Sequence, residues 1–337
     1  MGENGLNIDD AGDETTATRM KSKYYAKHCC TRSFCNNSQL IDDKKDFLHC
    51  SLPSRKMLKY DLIPDFLKGN PYIQCGYRRK LSAIECVNSL WWWNNETINV
   101  WSHIIGFLAF SMLMVYDLLY FLPSVKVSLE DYFVLTFALF SYQIAMLLSA
   151  CYHLFSCVSE NVHDYFLCLD LSGILLSFSS VFFSGIFFAF HCCPEWKVVY
   201  SLLIGCFSFL VLILTWHPQS MSPEYSKLRC VVFGFWALCG IFPTFHWIYI
   251  KNGFSNHEVQ QLFPNIVIMY LISAAGFIFY LCKIPERFFP GKFDIIGSSH
   301  QLWHLLVFIS LVWWHKTGVK YIYVIHSSSC VVNGNCD

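Results

Sequence analysis

The chain has 337 residues, of which 55% are hydrophobic, 18% aromatic and only 14% charged. Soluble globular domains carry about 25% charged residues, so this composition excludes an ordinary soluble protein and indicates a polytopic membrane protein, with the lipid bilayer as its surroundings. The formal net charge is zero, which gives no reason to expect a nucleic-acid partner.

Residues 1–58 are rich in Asn, Asp, Lys and Ser and show neither helical nor alternating periodicity. A segment of this kind cannot bury enough apolar surface to fold, so we expect a disordered cytosolic tail. The tail contains no signal-peptide pattern, and the first membrane span is therefore expected to act as the targeting signal.

A juxtamembrane segment over 59–96 follows the tail. Within it Leu81, Ile84, Val87 and Trp91 recur at spacings close to 3.6 residues, which predicts an amphipathic helix over 80–93. Either this helix lies in the membrane interface, or it packs against the bundle as an ordinary helix. Periodicity alone does not separate the two interpretations.

Stretches of about 20 mostly apolar residues, the length that crosses a bilayer core of about 30 Å, occur seven times after Leu90. The sequence thus predicts an all-α membrane protein, a seven-transmembrane helix bundle over 97–323 with a tail at 324–337. Pro243 lies inside the fifth span and predicts a kink, whereas Pro264 is placed in a connection. The predicted spans are 100–122, 132–157, 168–192, 198–216, 231–250, 266–285 and 300–322.

Lys and Arg are more frequent in the loops on the N-terminal side of the predicted bundle, close to Arg78, Arg79 and Lys80. The positive-inside rule therefore predicts a cytosolic N terminus and a lumenal or extracellular C-terminal tail. This orientation is opposite to that of G-protein-coupled receptors. It also places the sequons at Asn36 and Asn95 in the cytosol, where they would stay unmodified.

Polar side chains of several predicted spans share one depth on the cytosolic side. His300 and His304, four residues apart, begin the seventh span; His153 ends the second; Asp170 begins the third. Ser149 precedes His153 by one helical turn. The histidine pair alone is equally consistent with a ligand pair or interfacial residues, but an ionisable group inside a membrane suggests a site. Three imidazoles with one open position suit Zn²⁺, and Asp170 could hold or deprotonate a water.

Four further histidines have a simpler interpretation. A lone histidine in a membrane span is usually a packing or interfacial residue with a local hydrogen-bond partner. We assign that role to His103, which begins the first span, and to His191, His246 and His315 near the outer ends.

Five motifs lie within or next to the predicted spans, at 95–103 (NETINVWSH), 149–153 (SACYH), 169–173 (LDLSG), 285–287 (PER) and 300–304 (HQLWH). Together these motifs resemble the progestin and adipoQ receptor family, which is related to haemolysin III. The resemblance covers about 60–323. It implies seven spans, a cytosolic N terminus and a zinc ion held by His153, His300 and His304, with Asp170 and Ser149 beside it.

A second group of motifs lies at 63–64 (IP), 70–73 (NPYI), 76–78 (GYR) and 285–291 (PERFFPG). These motifs resemble one branch of that family, a branch that resides in the Golgi membrane and sequesters Raf kinase. The resemblance implies Golgi residence, ahead of the plasma membrane, and binding of Raf kinase at the cytosolic N-terminal region, which would lower mitogen-activated kinase signalling. The first fifty-odd residues do not match, so no partner-binding residue is carried across them.

Two alternatives remain open at this point. The first is a zinc-dependent, ceramidase-like hydrolase of lipid amides that binds a sphingolipid or fatty acid in the bundle. Ser149 would then bond the oxyanion or the water, and Asp170 would move protons. The second alternative, a receptor for a soluble ligand, ranks last because the predicted outer loops are short.

Overall fold

The computed structural model describes residues 56–125 and 127–327. Most of the predicted tail over 1–58 and most of the predicted C-terminal tail over 324–337 lie outside the described residues. In the described part, one antiparallel bridge joins Leu58 to Tyr77, and the remaining regular structure is helical. The prediction of an all-α membrane protein is confirmed.

The described chain contains nine helices of more than five residues. After the short α1, the other eight form seven long helical segments. In the fifth segment α6 and α7 are stacked end to end, and α2 continues to Val125 through a π-helical turn at Asp117–Phe121. The helices are α1 Ala83–Asn88, α2 Thr97–Tyr116, α3 Leu129–Phe155, α4 Glu160–Ala189, α5 Pro194–Trp216, α6 Ser226–Cys239, α7 Ile241–Ile250, α8 His257–Cys282 and α9 Ser299–Ser327.

Six of the seven long segments in the described chain are apolar enough to cross a membrane. The seventh, α9, has 29 residues but carries polar side chains that include His300, Gln301 and His304. Its length matches a span, and its polar residues are those of the candidate site. In α3, 61% of the membrane window is buried, against 11% in the segment Ser226–Ile250, so α3 lies at the centre of the bundle and the fifth segment at its edge.

Proline affects two helices in different ways. The predicted kink near Pro243 is present as a break at Gly240, because proline cannot donate to a carbonyl one turn earlier. A Cβ atom at Gly240 would overlap the ring of Phe182 and the hydroxyl of Tyr270, so the glycine at this break also permits close packing. The placement of Pro264 in a connection was wrong, because α8 begins at His257 and contains this proline in its interior.

The predicted amphipathic helix is present but shorter. Ser82 and Glu85 form a capping box at the start of α1, and a 3₁₀ turn at Ser89–Trp91 follows its end. Ile84, Val87 and Trp91 are exposed, whereas Leu81 precedes the helix and is buried, so the predicted apolar face does not include Leu81. The exposed apolar face suits a membrane interface, and Leu81 fixes the helix to the bundle.

Candidate metal centre

Three imidazoles converge where the end of α3 meets the start of α9. The Nε2 atom of His300 lies 3.1 Å from Nε2 of His153 and 3.2 Å from Nε2 of His304. Tetrahedral zinc with Zn–N bonds of 2.0–2.1 Å would hold two such nitrogens about 3.3 Å apart. The ligand atoms of the three residues all lie within 4.8 Å of one another. The donor set and its spacing therefore fit a zinc ion.

Two close helix crossings bring these side chains together. A Cβ atom at Gly106 in α2 would lie 2.9 Å from Met146 of α3 and 3.2 Å from Phe308 of α9, so glycine there lets three helices approach. His103, one turn before Gly106, stacks on His304 with ring centroids 3.8 Å apart and planes 13° apart. The first span thus supports the centre through a ring contact.

The crossing of α3 and α4 positions the polar neighbours of the centre. A Cβ atom at Gly173 would lie 3.0 Å from the Cα atom of Ala145. Because the helices run in opposite directions, the turns next to this contact carry Asp170 on α4 and Ser149 on α3. Both residues are buried, and Asp170 lies beside Ser149 and within electrostatic range of His153. All five predicted site residues are therefore neighbours.

Glu96 is a neighbour of the centre that the sequence reasoning missed. The Nδ1–H group of His153 donates to Oε2 of Glu96 at 2.7 Å, which turns Nε2 of the same ring towards His300. Asn99 also donates to Oε2 of Glu96, at 2.7 Å. Burial by itself raises the pKa of Glu96, but its hydrogen bonds to His153 and Asn99 and the charge of Arg78 lower the pKa to about 2.

Two further side chains hold the helix ends that carry the histidines. The buried guanidinium of Arg78 donates to the backbone carbonyls of His153 and Leu154, at the C-terminal end of α3. Glu286, which is fully buried, accepts from the backbone N–H of Ser299 at 2.8 Å, at the first residue of α9. It also accepts from Asn70 at 2.9 Å, and so connects α9 to the juxtamembrane segment.

The remaining predicted packing histidines have local partners. The Nδ1 atom of His191 lies 3.0 Å from the carbonyl oxygen of Phe188, and that of His246 lies 2.9 Å from the Tyr200 hydroxyl. His315 pairs with Asp117 at 3.3 Å, and both side chains are buried. These contacts agree with a packing role. His103 differs, because its ring nitrogens are buried without a hydrogen-bond partner in the described part of the chain and its ring contacts His304.

Comparison with known proteins decides the family. Residues 91–315 match the family described as haemolysin-III related. The chain is 38% identical to human progestin and adipoQ receptor family member 3, over 82% of this chain and 89% of the relative. The chain belongs to the progestin and adipoQ receptor family. The mouse member 3 is 39% identical over the same shares, and heptahelical transmembrane protein 1 of Arabidopsis thaliana is 30% identical over 77% of this chain and 79% of the relative.

The family assignment made from sequence motifs is thereby confirmed. Four of the five motifs on which the resemblance rests carry residues of the centre or its support: Glu96 and His103, Ser149 and His153, Asp170 and Gly173, and His300 and His304. The fifth motif contains Glu286, which caps α9. The chain is therefore a progestin and adipoQ receptor family protein, and its fold contains a buried histidine triad that could hold a metal.

Proposed function

We propose that this protein is a Golgi membrane protein with an intramembrane zinc ion held by His153, His300 and His304, and that it sequesters Raf kinase and lowers mitogen-activated kinase signalling. The zinc part of the proposal rests on the convergence of three Nε2 atoms at 3.1 and 3.2 Å. Neutral imidazole nitrogens are good ligands for zinc, and the carboxylate of Glu96 orients one of them.

The kinase part of the proposal is supported by how the juxtamembrane segment is held. The carboxylate of Asp294 accepts from the backbone N–H groups of Gln74 and Cys75, each at 2.9 Å. Lys283 donates to the carbonyl of Gly69 at 2.9 Å. Together with Arg78 and Glu286, these contacts hold residues 56–96 on the bundle as a folded platform. In the sequence this platform directly follows the tail that would carry the kinase. The similarity to member 3 favours this function.

A transplanted segment tests the kinase part. Residues 1–95 on an unrelated Golgi anchor are expected to recruit Raf kinase to Golgi membranes, measured by fluorescence co-localisation, while the anchor alone recruits none. In the full chain, alanine at both His300 and His304 is expected to lower stability and zinc content together. Failure of residues 1–95 to recruit kinase would count against this function and leave the zinc centre untouched.

A second candidate function is hydrolysis of a lipid amide such as ceramide, and the position of Asp170 beside Ser149 favours it. A bound zinc would supply a polarised carbonyl and a more acidic water. Asp170 would accept the proton of the water and pass it to the leaving amine. The Ser149 hydroxyl would donate a hydrogen bond to the developing oxyanion.

Purified protein in lipid nanodiscs tests the hydrolase function. Fatty acid released from ceramide is expected for the wild type, and D170N is expected to retain zinc and lose release. The matched control is D164N, because the side chain of Asp164 is 42% exposed and pairs with His163, which is not a residue of the triad. Absence of release by zinc-loaded wild type, or equal release by D170N and the wild type, would remove this function.

A further inference from the structure

Two cysteines meet beneath the interfacial helix, outside the metal centre. Cys86 lies on α1 and Cys157 lies just beyond the end of α3, and their Sγ atoms are 3.6 Å apart. Their exposed fractions are 0% and 3%. Both thiols are free in this structure. The proposed function uses neither of them.

The surroundings distinguish the two thiols. Leu81, Trp92 and Leu154 form an apolar cover around the pair. Arg78 is the cation whose field acts on both sulfur atoms. The contact between the two thiols and, after it, the charge of Arg78 lower the pKa of Cys157, against the effect of burial. The same contact and burial raise the pKa of Cys86. Cys157 is also the less deeply buried of the two, 3% exposed against 0%, and the attacking thiol is assigned to Cys157 on these two grounds.

We propose that Cys86 and Cys157 form a reversible oxidation site that takes hydrogen peroxide or a small organic hydroperoxide and closes to a disulfide. A disulfide bond is about 2.05 Å long, so the sulfur atoms must approach by about 1.5 Å from their 3.6 Å separation. Helix α1 has only six residues and is followed by a 3₁₀ turn, so a small shift of α1 supplies this movement.

The reaction has two steps. The Cys157 thiolate attacks one peroxide oxygen and the O–O bond breaks, which gives a sulfenic acid on Cys157 and a hydroxide ion. The sulfur of Cys86 then attacks the sulfenic sulfur, the S–O bond breaks, and water leaves with the proton of Cys86. Two electrons pass from the thiol pair to the peroxide, and a thiol reductant restores the pair.

The disulfide would join the interfacial helix to the end of α3. Cys157 lies four residues after His153, and Arg78 contacts the backbone between them. In the reduced protein α1 covers the thiol pair, so the rate of oxidation also measures how often α1 opens. In the oxidised protein α1 can no longer separate from α3.

Peptide mapping of the full-length protein tests the site. Reduced protein in nanodiscs is treated with hydrogen peroxide, free thiols are alkylated, and non-reduced peptides are identified by mass spectrometry. We expect a peptide pair linked through Cys86 and Cys157 that dithiothreitol removes. C75S is the matched control, because the Cys75 thiol donates to the carboxylate of Asp294 and is not part of the Cys86–Cys157 pair, and this variant should form the same linked pair.

Single variants identify the nucleophile. With a sulfenic-acid probe, C86S should label at Cys157 at least about tenfold faster than C157S labels at Cys86. Absence of the linked pair in folded wild type, while other cysteines are oxidised, would overturn the site. A pair that is already linked before peroxide, under strictly reducing purification, would overturn its reversibility. Equal labelling of the two variants would overturn the assignment of Cys157. Wild-type mapping decides the first two outcomes even where a variant does not fold.

Discussion

At the residue scale, the two ring nitrogens of His153 and of His304 have different partners. In His153 the Nε2 atom faces the other two imidazoles and the Nδ1 atom donates to Glu96. In His304 the Nδ1 atom lies 3.4 Å from the hydroxyl of Ser102. A metal centre built this way depends on the partners behind the rings as well as on the rings themselves.

Removal of one ligand should remove the metal. We expect H153A to lose most bound zinc, because two neutral nitrogens hold zinc much more weakly than three. The measurement is zinc content of purified protein by elemental mass spectrometry. H246A is the matched control, since His246 contacts Tyr200 near the other end of the bundle, and it should keep wild-type zinc. Equal zinc in both variants would contradict the assigned ligand set.

Removal of the carboxylate behind His153 should weaken the metal without abolishing it. E96A is expected to lower zinc affinity about 10- to 100-fold, because the imidazole loses the acceptor that fixes its tautomer. Competition with a fluorescent chelator measures this change. E96Q keeps an acceptor oxygen and should lie between E96A and the wild type, whereas E130A removes an exposed glutamate and should leave the affinity unchanged.

The histidines of the triad were visible in the sequence, and the residues that support them were not. His300 and His304 share a helix face at four-residue spacing, and orientation brings His153 and Asp170 to their depth. Glu96 lies 57 residues from His153 in a segment before the first span, where periodicity carries no signal. In the sequence Arg78 is one of the basic residues that predict a cytosolic N terminus. Only the fold shows that it donates to a backbone carbonyl at the end of α3.

At the scale of elements, glycines decide how closely the helices approach. G173A should destabilise the bundle by about 1–3 kcal/mol, because its Cβ atom would lie 3.0 Å from the backbone of α3 at Ala145. The thermal unfolding midpoint in nanodiscs measures this loss. G205A is the matched control: no atom lies within 4 Å of the added Cβ, so α5 should be unchanged or slightly more stable. A lower midpoint for G205A than for G173A would refute the close-crossing argument.

The end of α3 depends on one buried cation. R78A should lower the free energy of unfolding by about 3 kcal/mol, because it leaves two carbonyls of α3 and the hydroxyl of Ser89 without their donor. Chemical denaturation followed by tryptophan fluorescence measures the change. The neighbouring R79A removes only a partly exposed contact with Glu85 and should cost less than about 1 kcal/mol.

Hydropathy located the helices well, but the observed helix ends and breaks differ from the predicted ones because of local glycine and proline residues. The predicted fifth span breaks at Gly240 rather than at Pro243, because the missing hydrogen bond lies one turn before the proline. Pro264 stays inside α8, where the side chains of Asn265 and Lys320 donate to the carbonyl of Gln261 in the preceding turn. Contacts between distant segments, such as Lys320 to Gln261, have no counterpart in a single-sequence pattern.

For the whole molecule, the predicted orientation places the histidine triad on the cytosolic side of the membrane. A cytosolic N terminus predicts that the sequon at Asn95, close to Glu96, stays unmodified, because glycans are added in the lumen. Glycosidase digestion and gel mobility of protein from mammalian cells measure this. A new sequon engineered in the loop at 251–256 should be glycosylated. Glycosylation at Asn36 or Asn95 instead would contradict the predicted orientation.

The carboxylate of Glu286 connects the juxtamembrane segment to the helix that carries His300 and His304. One buried acceptor serves both Asn70 and the first backbone amide of α9, so the two cannot shift independently. Thermodynamic linkage then acts in both directions. Suppose that a partner binds residues 56–96 about tenfold more tightly when the histidines hold a zinc ion. Binding of that partner must then raise the zinc affinity of the histidines by the same factor. The supply of free zinc near the membrane would thereby set how much partner the protein retains.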